Sequence, residues 1–151
     1  VPAYLLIPKS ALQKNAKVRA VLCLHPTDEQ AGNKTVVGLT SKVNRSYASE
    51  LAERGFVTLA PAYPLLANYN PDWRSLGYES GTMKAIWDNM RGIDLLESLP
   101  FVKRGGVAAI AGATRVMTCF SRLRAVLHGE ESIPRGQEGS LKAPGTCLKT
   151  V

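Results

Sequence analysis

The sequence is short of the residues that make assignment easy. Its 151 residues include only two histidines and three cysteines. Cys23, Cys119 and Cys147 are odd in number and lack metal-binding spacing, so neither a disulfide scaffold nor a zinc module is expected. No cofactor motif is present, and none is expected to bind. No apolar run approaches the roughly eighteen residues of a membrane-spanning helix, so no membrane partner is expected. No charged, then apolar, then small-residue pattern opens the chain, so no signal peptide is visible. The first residue is Val1 rather than Met, which leaves room for a leader or a strand ahead of it. The compartment stays unassigned, with the cytoplasm as the default.

What is present is an ordinary globular balance, 45% hydrophobic and 21% charged. The length suffices for one domain with a real core. The net charge is +7, with 13 basic against 9 acidic residues over 1–110 and 6 against 3 over 111–151. The excess is spread along the chain, as on a solvated face. Basic and aromatic residues are not interleaved on any one segment, so no nucleic-acid partner is expected. Cys23 lies in an apolar run and reads as a small buried hydrophobe.

The hydrophobic pattern gives alternating strands and helices. Ala3 to Pro8 reads as a first strand. Val18–Leu24 is an apolar run stopped by His25-Pro26, as in a buried parallel strand. Ser46–Arg54 reads as a helix closed by Gly55. Phe56–Ala60 is strand-like and stopped by Pro61 and Pro64. Residues from Ala67 to Tyr78 form a polar, aromatic loop. Met83, Ile86, Trp87, Met90, Ile93 and Leu96 make one apolar stripe on a helix from about Gly81 to Leu99, assigned to core packing and closed by Pro100. Gly106–Ile110 is a third buried strand. The expected class is α/β, a parallel sheet covered by helices on both faces. Ligands of such sheets bind beyond the carboxyl ends of the strands. Here those ends carry His25-Pro26-Thr27 and Pro61-Ala62-Tyr63-Pro64.

These segments, in this order and spacing, resemble the α/β-hydrolase superfamily in its dienelactone-hydrolase-like and acetyl-esterase-like branch. The matching pieces are Val21–Thr27, Ala48–Pro61, Gly81–Arg91, Asp94–Pro100 and Gly106–Ile110. The resemblance covers residues 1–110, read as the N-terminal half of the domain. It implies acyl transfer to water, with a small-molecule ester as substrate. In the family a Ser or Cys follows the strand that here ends at Ile110; a His takes its proton and an acid orients the His. The oxyanion is held by the N–H after the nucleophile and by one from the loop after His25. Pro26 has no N–H, so Thr27 is the expected donor, with His25 shaping the loop. One departure is local: relatives usually carry an Asp where this chain has Ala62, and Ala62 cannot fix the loop through its side chain.

The resemblance stops after Ile110. In place of Gly-His-Ser-x-Gly the chain has Ala111-Gly-Ala-Thr-Arg-Val-Met117. No G-x-S-x-G or G-x-C-x-G occurs anywhere, so no catalytic residue is identified. Ser80, within Gly77-Tyr-Glu-Ser-Gly81, has the wrong spacing and no preceding strand. Cys119 lacks elbow glycines, and His128 lies in a Gly/Glu/Pro-rich segment. Residues 111–151 have little period beyond Val116 to Leu127 and are expected to be an irregular, disordered tail. The genetic code offers a cause. Gly-His-Ser coded GGC CAC TCG, read one base out of phase, gives GCC ACT CG, which encodes Ala-Thr-Arg. Ala113-Thr114-Arg115 stands within a few residues of the missing triplet. A frameshift and truncation before the elbow are therefore expected, and with them an inactive chain. The alternative function is a small basic, non-catalytic binding module.

Overall fold

The structure, a computed structural model, describes residues 1–111. The elements are β1 (Ala3–Leu6), β2 (Val18–Leu24), α1 (Tyr47–Glu53), β3 (Val57–Pro61), α2 (Gly81–Ser98) and β4 (Val102–Ala111). The tail expected over 111–151, the shifted triplet Ala113-Thr114-Arg115, Cys119, His128 and Cys147 lie outside the described residues, apart from Ala111, which closes β4.

The four strands form one sheet in the order β1-β3-β2-β4. β2 runs parallel to β3 and to β4, as the alternating pattern implies. β1 runs antiparallel to β3, so the sheet is mixed and the expectation of an all-parallel sheet is corrected at its first strand. The reason is the connection. A parallel β1 would need a return crossover, usually a helix, and the chain between Leu6 and Val18 holds only a short 3-10 turn, Lys9–Leu12.

The chain crosses from β2 to β3 through α1, then back over β2 to β4 through α2. Crossovers in opposite directions, with the right-handed turn that such connections follow as a rule, put their helices on opposite faces. The side chains divide accordingly. Ala20, Leu22, Leu24, Val57 and Leu59 pack with Ile93 and Leu96 of α2. Val21, Cys23 and Ala60 pack with Val36 and with Ala48 of α1. Every residue from Ala20 to Leu24 is buried, which is why β2 is written as a continuous apolar run.

α1 ends as the sequence signals. Gly55, at φ +93°, lets its N–H reach the carbonyl of Ala52 and the N–H of Phe56 reach that of Leu51, the paired bonds of a Schellman cap. Ser80 caps α2 by accepting the Met83 N–H at 3.1 Å. The start of β4 and the burial of one residue of α2 differ from the pattern. β4 starts at Val102, which pairs with Val18; regular pairing resumes at Ala20 and Val107 after a register shift. Lys103-Arg104-Gly105, ahead of the strand expected at Gly106–Ile110, belongs to this irregular part of β4. Trp87 is not in the core: it is 47% exposed, with the Arg91 guanidinium 4.8 Å from its ring centre.

Candidate functional site

The carboxyl ends of β2 and β3 meet at His25. Its side chain is buried, and both ring nitrogens are engaged. The Tyr63 N–H donates to Nε2 at 3.1 Å, and Nδ1 lies 2.7 Å from the Pro26 carbonyl. Nε2 is thus the acceptor and Nδ1–H the donor, which fixes the tautomer of a neutral imidazole. Burial lowers its pKa from the ordinary value, with smaller opposing contributions from the Pro26 carbonyl and the Asp28 charge. His25 is therefore a neutral clamp between two strand ends. Ala62 is buried with its N–H on the Pro2 carbonyl, and the histidine holds the next N–H, that of Tyr63.

Pro26 is buried, and Thr27 stands exposed at the rim. Asp28 then organises the loop beyond. Its Oδ1 accepts the N–H groups of Gln30 and Ala31; its Oδ2 accepts the Thr35 hydroxyl at 3.0 Å and the Lys42 ammonium. Led by Lys42, these donors hold its carboxyl well below the usual carboxylate range. Asn33 donates to the Ala60 carbonyl at 2.9 Å, tying the loop to β3. Tyr47 on α1 donates to the Leu24 carbonyl. Gly32, at φ +55°, has no room for a side chain, since a Cβ would lie 2.9 Å from that of Ala67. The sequence pattern singles out His25, Pro26 and Thr27, and the fold gathers them at one strand end. Asp28 is missed by it because a loop carboxylate leaves no periodic mark, and Asn33 and Tyr47 because their partners lie on separate elements.

The far wall belongs to α2. A cleft of about 10 Å³ is lined by Leu24, His25, Pro61, Ala62, Tyr63, Ala85 and Asn89. That volume admits roughly one water and no ester. The Tyr63 hydroxyl lies 3.3 Å from that of Thr82. One turn along α2, Lys84 and Asp88 form a buried ion pair. The Tyr69 hydroxyl donates to Asp88 at 3.4 Å, and the Lys84 ammonium lies over the rings of Tyr69 and Tyr78 at 5.9 and 5.4 Å. This cluster fastens the segment between β3 and α2 to the helix.

Cys23, one residue into β2 from the site, is no nucleophile: burial pushes its thiol up to about 12, and a protonated buried thiol is inert. Among the described residues no three His, Cys, Asp or Glu side chains gather to hold a metal, and no helix is long and apolar enough to cross a membrane. No protein-family model matches the chain, and a search of curated proteins finds no match.

Proposed function

We propose that this chain is an α/β-hydrolase polypeptide of the esterase or dienelactone-hydrolase kind, carrying the oxyanion side of a site for small carboxylic esters but no nucleophile. The register of β2 and β4 carries the reading. Leu24 pairs with Ala111, so the chain leaving β4 starts beside His25-Pro26-Thr27. A nucleophile at that point would lie next to the loop proposed to hold the oxyanion, the adjacency acyl transfer requires.

The same geometry supports inactivity. His25 holds two backbone groups and has no free lone pair to take a proton from a hydroxyl. Thr114, the first hydroxyl after β4, has no base or acid following it in family order, and an unassisted hydroxyl is a weak nucleophile at neutral pH. The chain is expected to hydrolyse p-nitrophenyl acetate no faster than a serine-free control protein, and to resist fluorophosphonate labelling. Stoichiometric labelling abolished by Thr114→Ala would overturn this reading. The family assignment has its own test in the nucleotide sequence over codons 105–120. A second frame is expected to spell Gly-His-Ser followed by an apolar helix. Three frames without a nucleophile elbow would refute the frameshift.

A further inference from the structure

Asn89 stands apart among the buried polar residues of the described chain. His25, Asp28, Asn33, Thr35, Thr58, Lys84 and Asp88 all have side-chain hydrogen-bond partners. Asn89 is 4% exposed, yet among the described residues its carboxamide engages no hydrogen-bond partner. No fully sealed side-chain nitrogen or oxygen there is left unpaired, so this amide is open to something. It lines the cleft at the ends of β2 and β3, opposite His25.

The remaining walls are apolar or already engaged. Leu24, Pro61, Ala62 and Ala85 offer no polar side chain, and the His25 nitrogens and the Tyr63 N–H are taken. Among the described residues the Asn89 amide is therefore the side-chain hydrogen-bonding group this cleft has left for an incoming atom. An open amide at a cleft can take a hydrogen bond from, or give one to, whatever enters.

We infer that Asn89 is a ligand contact: its carboxamide takes the carbonyl oxygen of a short acyl ester at the cleft beside His25. The inference rests on the acyl-ester reading above and adds a residue to it. The cleft's volume, about 10 Å³, suits one oxygen with the rest of the ligand outside its mouth. In the absence of ester that position fits one water.

The test uses the full chain and methyl acetate, followed by the side-chain amide resonances of Asn89 and the backbone amide of Tyr63. Saturable shifts of both are expected. Asn89→Ala, which removes the carboxamide without adding bulk, is expected to abolish the response. Asn89→Ser keeps a hydrogen-bonding group and is expected to retain the saturable Tyr63 shift. An undiminished response in Asn89→Ala would overturn the proposal. So would unchanged Asn89 resonances on titration, or equal loss of the response in both variants, which would point to shape rather than hydrogen bonding. The codon reading does not involve Asn89, so either inference can fail alone.

Discussion

His25 shows how a residue can be conspicuous in the sequence while its role is set only by the fold. The pattern Leu24-His25-Pro26 marks a strand end, and the resemblance gives the histidine a loop-shaping part. What the sequence does not contain is the Tyr63 N–H, thirty-eight residues away, that occupies Nε2. That bond defines a pH test. Burial lowers the folded-state pKa of His25 below 6.5, so between the two values the unfolded chain binds more protons than the folded one. The stability contributed is complete above pH 6.5 and is lost as pH falls through the folded value, by at most about 1.4 kcal/mol per pH unit. Asp28, the charged neighbour, has a carboxyl depressed from 3.8, so its own loss of stability falls in a lower, separate window. Thermal melts between about pH 7.5 and 5.5 are expected to show Tm falling with pH, and His25→Gln is expected to flatten that slope while lowering Tm at the upper end. Equal slopes in the two proteins would remove His25 from the account.

At the scale of the element, α2 was legible in outline and misread on one face. The period of Met83, Ile86, Met90, Ile93 and Leu96 gives its length and core side. It also includes Trp87, which faces out under Arg91, while Lys84 and Asp88 are buried. Lys and Asp four apart read as a solvent-facing pair by default; what buries them is the segment carrying Tyr69 and Tyr78, whose path no helical period encodes. The pair can be tested. Lys84→Met leaves Asp88 charged, buried and without its cation, and is expected to cost about 3 kcal/mol. The double variant Lys84→Met/Asp88→Leu removes both charges and is expected to cost markedly less than the single change. Urea melts of the three proteins give the comparison. A double variant less stable than Lys84→Met would show that the charges, and not their pairing, hold the segment in place.

At the scale of the molecule, the strands and crossovers follow from local pattern and the handedness rule, whereas the direction of β1 had to be seen. Its four residues carry no mark of orientation; only the helix-free connection to β2 hints that the chain does not cross back. The strand order has a consequence for solubility. Among the described residues β4 is an edge of the sheet, pairing with β2 alone. Its first half is guarded by Lys103 and Arg104, the kind of charge that keeps edges from pairing with other chains. Its second half, Val107-Ala-Ala-Ile-Ala111, carries no charge, and Ala108 and Ile110 are exposed. Val107, Ala109 and Ala111 turn inward to the core, so a charge at 108 falls on the other side of the strand, which is exposed among the described residues. An uncharged, β-prone edge segment is a template for strand addition, and a net charge of +7 opposes association only weakly at physiological salt. The wild-type chain is therefore expected to self-associate with rising concentration, and Ala108→Lys to shift it toward monomer with little change in Tm. Sedimentation velocity across a concentration series, paired with thermal melts, decides the matter. A monodisperse wild type would mean that the outer side of β4 is already covered, and association in Ala108→Lys equal to that of wild type would move the interface elsewhere.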